Sequence, residues 1–190
     1  MSHSEEIMNR RKIGRGAGAL LLLALFCVIA SAPVSAYSYG ADKWGVPYYW
    51  SGSIPASWYN SINSAAAAWN NAGSKFAFTK RSTTLDIIGK ASLPAGQIAQ
   101  TLISAQSYRI YKVLTNFSYN VSWSTTGQSG YYDVQNAATH EFGHWLKLND
   151  LYGSSDTEKT MYGYISTGET KKRTLHSDDI AGIKYIYGTA

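Results

Sequence analysis

His140-Glu141-Phe142-Gly143-His144 sets two imidazoles four residues apart, with a carboxylate directly after the first. On a helix, residues four apart lie one turn apart on one face, so both rings can reach a single ion. Zinc accepts nitrogen and oxygen ligands, and a catalytic zinc keeps one position open for water. Glu141 follows the first histidine too closely to share the ion easily. It can instead take a proton from an activated water and pass it to a leaving amine, so no nucleophilic side chain is required. HExxH also arises by chance, as two packed or surface histidines beside a coincidental Glu. Against that stand a helix-compatible stretch, a capping Asp upstream, and the scarcity of histidine, since residues 37–190 hold only His176 besides this pair.

Two histidines leave the site one ligand short. Asp150 stands six residues after His144 and reaches the ion if the helix ends near Lys147 and the chain turns back. The competing reading makes Asn149-Asp150 an ordinary turn after the helix. Glu169 and His176 are the rival third ligands, each supplied from a more distant segment.

The helix that must position the pair is expected over residues 134–146, VQNAATHEFGHWL, which contains no proline. Asp133 can cap it by accepting from the unpaired N–H groups of its first turn. Ala137, His140, Glu141, His144 and Leu148 share roughly one face, with Phe142, Trp145 and Leu146 packing to the sides. An earlier helix is expected over residues 57–70, where Trp58, Ile62, Ala65 or Ala66, and Trp69 recur at spacings of three and four and an alanine run favours helix. Asn70-Asn71-Ala72-Gly73 supplies its stop. A last helix is expected over residues 177–187, with Asp178 and Asp179 opposing the dipole at its start.

Strands are expected at residues 47–50, 75–79 and 85–89, with a brief one at 101–104. Residues 107–123 are rich in aromatic and branched side chains, hence extended, with a break near Thr115-Asn116. Residues 91–100 and 124–130 are read as loop. Strand, long helix, several strands, then helices describe an α+β domain with a mixed sheet.

The first 36 residues are set aside. Arg10, Arg11, Lys12 and Arg15 precede an apolar run over residues 17–30, followed by Val34-Ser35-Ala36. This is the form of a secretory signal peptide cut after Ala36, and the run is short of the roughly 20 residues a spanning helix needs. A single domain over residues 37–190 is therefore expected, secreted, monomeric and without stable membrane insertion. The whole chain carries a formal charge of +5, but residues 37–190 hold only thirteen Lys and Arg against ten Asp and Glu. With Lys171-Lys172-Arg173 as an isolated basic cluster, nothing suggests nucleic acid. The one cysteine, Cys27, lies in the apolar run, so the exported domain has no disulfide and any bracing beyond packing must come from metal.

Residues 132–188 resemble the matrixin branch of the metzincin peptidases. HEFGHWLKLND (140–150) resembles the family's HExxHxxGxxH; Thr160-Met161-Tyr162 looks like the methionine turn beneath the zinc; LHSDDIAGIKYIYG (175–188) is similar to the closing helix. Upstream, Ala68-Trp69-Asn70, FAFT (76–79) and LDII (85–88) resemble the first helix and the next two strands. The resemblance implies a zincin-like fold with a mixed twisted sheet, two long helices (one carrying HExxH) and a C-terminal helix. It further implies a His140, His144 and Asp150 zinc site, Glu141 as catalytic base, Met161 beneath the metal, and Asp178 and Asp179 supporting the methionine turn. The substrate would be an extended polypeptide bound along an edge strand within residues 105–115.

Three departures stand out. Asp150 replaces the usual third His, as in some small secreted bacterial metzincins. Lys147 replaces the glycine of the tight turn, where a left-handed backbone would cost a non-glycine residue roughly 1 kcal/mol. Gly163 replaces the proline after Met-Tyr. The family's cysteine latch has no counterpart in residues 37–190, and with only His176 to spare its second, histidine-rich zinc site cannot be built. Structural calcium has Asp86, Asp133 and Asp156 as weak candidates. The functional expectation is a zinc endopeptidase; the alternatives are an inert secreted binding protein on the same fold and a zinc hydrolase acting on a non-peptide bond.

Overall fold

The computed structural model describes residues 23–24, 45–106 and 109–190. Most of the expected signal segment, with its cleavage site at Ala36, lies outside these residues. Leu23–Ala24 forms a two-residue strand, β1. The rest runs β2 (Gly45–Trp50), α1 (Tyr59–Asn70), β3 (Ala77–Lys80), β4 (Ile87–Ala91), β5 (Ala99–Gln106), β6 (Arg109–Ser118), β7 (Trp123–Ser124), β8 (Tyr132–Asp133), α2 (Val134–Trp145), β9 (Tyr164–Ile165) and α3 (Ser177–Tyr187). Among the described residues no helix is long and apolar enough to cross a membrane.

The main sheet has five strands in the order β3-β2-β4-β6-β5. β2 pairs in parallel with β3 and β4, and β4 in parallel with β6, whereas β5 is antiparallel to β6 at the edge. This is the mixed sheet of an α+β domain, as the element order predicts. Two expectations about it change. The break near Thr115-Asn116 is absent, because both residues are paired on both sides, Thr115 with Ile88 and Thr101, Asn116 with Gly89 and Gln100. The sheet ends in β3 and β5, and the edge that meets Glu141 is β5, which overlaps residues 105–115 only at its last two residues; most of that stretch belongs to β6, an interior strand. The brief strand expected at 101–104 is thus the longer β5, eight residues in all.

Helices α1 and α2, twelve residues each, pack on one face of the sheet and on each other. Ile62, Ala65 and Trp69 of α1 are fully buried, as their spacing predicts. The small alanines let α2 approach closely, and the indole Nε1–H of Trp69 donates to the Thr139 carbonyl at 2.8 Å. Phe78 of β3 packs against Phe142 and Trp145 of α2, with ring centroids 4.7 and 5.9 Å apart. Burial of such rings is the main force fixing the angle of α2 over the sheet. Gly73 closes α1 with φ +73°, the left-handed conformation that favours glycine. β1 pairs antiparallel with β9, Ala24 opposite Tyr164.

Candidate metal centre and active site

Asp133 starts α2 as the sequence predicts, its Oδ1 accepting from the Asn136 N–H at 2.9 Å. The same carboxylate holds Arg173, 2.6 Å from Oδ2, so the helix start is pinned to the segment before α3. From this start the helix brings His140, Glu141 and His144 to one buried face.

At the other end, the Lys147 N–H donates to the His144 carbonyl and the Leu148 N–H to the Gly143 carbonyl, both at 3.0 Å. This is a Schellman turn, which needs a left-handed residue just past the helix. That residue is Lys147, with φ 70°, the one non-glycine at positive φ among the described residues. The turn reverses the chain and aims the Leu148 carbonyl at Nδ1 of His144, 2.9 Å away. Three residues later, Leu151 pairs with the methionine turn: its N–H donates to the Met161 carbonyl at 2.8 Å and its carbonyl accepts from Gly163 at 2.9 Å. Asp150 is thereby held with Oδ1 3.0 Å from Nε2 of His140 and 3.6 Å from Nε2 of His144.

Nδ1 of His140 lies 2.9 Å from the Thr160 carbonyl, as Nδ1 of His144 does from that of Leu148. A carbonyl only accepts, so in each neutral ring the proton is on Nδ1 and Nε2 presents a lone pair. Burial holds His140 below the ordinary imidazole range, which keeps it neutral. Two ring lone pairs and a carboxylate oxygen therefore converge within 4.8 Å of one another in a buried site. Such a set is repulsive unless a cation sits among the three atoms, and the N,N,O donors and orienting carbonyls suit zinc.

Glu141 is almost fully buried, and burial pushes its carboxyl up to about 7. Its Oε2 accepts from the Thr101 hydroxyl of β5 at 2.5 Å, while Oε1 has no protein partner among the described residues. Met161 packs beneath the helix, where a Cβ on Gly143 would collide with its sulfur and approach Trp69 Cζ2 to 3.0 Å. Gly143 is thus a packing requirement of the motif.

Asp179 and Asp178, expected to act together, separate. Asp179 is buried and its two oxygens accept from the Thr160 and Met161 N–H groups at 2.9 and 3.3 Å. Asp178, one residue earlier in the first turn of α3, faces solvent and pairs instead with Lys159 at 2.8 Å. The rival ligands lie elsewhere. Glu169 accepts from Asn136 and Ser166 and pairs with Lys172 at 3.3 Å. His176 caps α3, its Nδ1 accepting from the Asp178 N–H at 3.2 Å.

The calcium candidates are likewise engaged. Asp86 accepts from Val113, Asp133 from Asn136, Gly127 and Arg173, and Asp156 from Gly153 while pairing with Lys159. Among the described residues, the one cluster with metal-ligand spacing is His140, His144 and Asp150.

Four residues near the site are not marked by the sequence as part of its chemistry. Thr101 and Thr115 carry no signal beyond their strands. Trp145, one turn after Glu141, offers at least a helical spacing. Lys172 looked like part of an exposed basic cluster, yet its side chain is fully buried and its Nζ donates to the Tyr164 carbonyl of β9.

The matrixin family model matches residues 56–188, most of the described domain. The chain belongs to the matrixin family. Metalloendoproteinase 2-MMP of Arabidopsis thaliana is 45% identical over 56 residues, 30% of this chain and 14% of that protein. Human neutrophil collagenase is 40% identical over 73 residues, 38% of this chain and 15% of its own length. Human matrilysin is 37% identical over 73 residues, again 38% of this chain and 26% of its own length. This matrixin thus spans about a tenth to a quarter of the length of the curated relatives it matches. Its mixed sheet and helix order are those the resemblance implies.

Proposed function

We propose that this matrixin is a secreted zinc-dependent endopeptidase in which His140, His144 and Asp150 hold the metal and Glu141 is the general base. The observation that carries the reading is the convergence of two Nε2 lone pairs on the Asp150 carboxylate, each ring having committed its proton to a backbone carbonyl.

Zinc in that position would supply Lewis-acid polarisation of the scissile carbonyl and of the attacking water. The chain's own residues do the rest. Oε1 of Glu141 takes the proton from water and returns it to the leaving nitrogen. Burial raises its pKa to about 7, where a carboxyl can both take up a proton and give it back near neutral pH. The outer edge of β5 is unpaired among the described residues, and Thr101 on this strand touches the base. An extended substrate chain can therefore add to the edge by main-chain hydrogen bonds, which register the scissile bond against Glu141. A domain over residues 37–190, exported after cleavage at Ala36 and acting as a monomer, completes the reading.

Zinc content and casein or gelatin hydrolysis of the purified protein test it. Glu141→Gln is expected to keep full metal and lose turnover, and Asp150→Ala to lose metal and turnover together. Wild-type protein that binds zinc yet cleaves nothing in a broad peptide library would favour a binding protein on the matrixin fold. Unchanged metal and turnover in Asp150→Ala would remove Asp150 from the site.

A further inference from the structure

Thr101 and Thr115 are cross-strand partners in β5 and β6, both almost fully buried on the face that meets α2. Such interior sheet positions ordinarily carry valine or isoleucine, and a hydroxyl placed there is costly unless bonded. Both hydroxyls are bonded, in one line. The Trp145 indole Nε1 lies 2.7 Å from Thr115 Oγ1, Thr115 Oγ1 lies 2.8 Å from Thr101 Oγ1, and Thr101 Oγ1 lies 2.5 Å from Glu141 Oε2.

The direction of each bond follows from the groups at the two ends. An indole N–H can only donate, and a carboxylate can only accept. Thr101 therefore gives its proton to Glu141, Thr115 gives its own to Thr101, and Trp145 donates to Thr115. Along this line each hydroxyl has one donor behind it and one acceptor ahead of it, and Thr101 Oγ1 also lies 3.5 Å from the Glu141 carbonyl. Were Oε2 to carry a proton and donate to Thr101, the Thr101 hydroxyl would accept twice and its own proton would be left with the Glu141 carbonyl, 3.5 Å away, as its acceptor. The shorter bond, 2.5 Å against 3.5 Å, thus favours Oε2 as a fixed acceptor. Oε1, buried and without a protein partner among the described residues, is the oxygen left for exchange with water.

We propose that Thr101, backed by Thr115 and Trp145, is a positioning residue that clamps Oε2 of Glu141 and reserves Oε1 for proton transfer. This rests on the reading of Glu141 as the base. The clamp spans the sheet edge and the helix, so it also fixes the base relative to the strand on which the substrate is expected to lie.

The test compares Thr101→Val, Thr101→Ser and Trp145→Phe with wild type and Glu141→Gln in the full chain. Zinc content, kcat and KM on a fluorogenic peptide, and the carboxylate infrared band of the zinc-free protein are read for each. The Glu141 band is isolated as the difference from Glu141→Gln. Thr101→Val is expected to keep its zinc and its KM within twofold, and to lose about ten- to hundredfold in kcat, a fraction of the whole contribution of a general base. Its carboxylate band shifts as the hydroxyl bond is lost. Thr101→Ser restores both readouts, and Trp145→Phe loses less and does not add to Thr101→Val. An unshifted band, or a kcat within twofold of wild type in Thr101→Val, overturns the clamp. So does a loss in Thr101→Val that Thr101→Ser fails to rescue. Full turnover in Glu141→Gln would instead remove the base assignment, while the band shift would still report on the tether.

Discussion

The Leu148 carbonyl stands 2.9 Å from Nδ1 of His144, four residues earlier, and it gets there because Lys147 occupies the left-handed region at φ 70°. One backbone conformation thus fixes the tautomer of the second histidine and sends the chain toward Asp150. A β-carbon in that conformation costs roughly 1–2 kcal/mol. Lys147→Gly and Lys147→Ala both lose the contacts of the buried lysine side chain, so the glycine variant is expected to be the more stable of the two by about 1 kcal/mol, roughly 2–4 °C in Tm for a domain of this size. Lys147→Val, branched at the β-carbon, should melt below wild type. Thermal denaturation of the zinc-loaded protein measures all three, and a glycine variant no more stable than Lys147→Ala would contradict the strain.

The neighbouring carboxylates of α3 make a second comparison. Asp179 accepts from two buried N–H groups at the methionine turn, whereas Asp178 faces solvent beside Lys159. Removing the first leaves buried donors unsatisfied, so Asp179→Ala should cost about 3 kcal/mol and weaken zinc binding through the Thr160 carbonyl on His140. Asp178→Ala should stay within about 0.5 kcal/mol of wild type, as exposed pairs do. Urea titration of both variants decides it; equal losses would contradict the division of roles.

Glu141 gives the metal-free protein a pH dependence of its own. Burial raises its folded-state pKa from 4.5 to about 7, so the fold holds its proton more tightly than the unfolded chain does. Stability from this group is complete below about pH 4.5, falls between there and about 7, and levels off above, by an amount on the order of 3 kcal/mol. Glu141→Gln lacks that ionisation. Stripped of zinc, the variant should be more stable than stripped wild type at pH 8, with the gap closing near pH 4.5. Denaturant melts across that range test it, and a gap that does not change with pH would contradict it.

Local signals made much of this legible in the sequence. α1, α2 and α3 lie close to where spacing, alanine content and caps placed them, because each helix has its own period and its own ends. The left-handed turn at Lys147 was also legible, since a motif that needs φ > 0 declares itself when a lysine stands there. What could not be read depends on neighbours distant in the chain. Thr115 and Asn116, poor core formers by type, are held in an unbroken strand by partners on β4 and β5. Thr101 reaches a helix forty residues away, and nothing in its immediate sequence says so. Lys172, drawn from a charge cluster that ordinarily faces water, is buried because the Tyr164 carbonyl and Glu169 receive its ammonium.

The central claim is that two imidazoles and the Asp150 carboxylate form one zinc site. Zinc K-edge X-ray absorption of the wild-type protein and of Asp150→Ala tests it most directly. One zinc per chain, light-atom ligands near 2.0–2.1 Å and the multiple scattering of two imidazoles are expected in wild type, with zinc lost from Asp150→Ala. A wild-type spectrum with a third imidazole, with sulfur near 2.3 Å, or unchanged in Asp150→Ala would contradict the account.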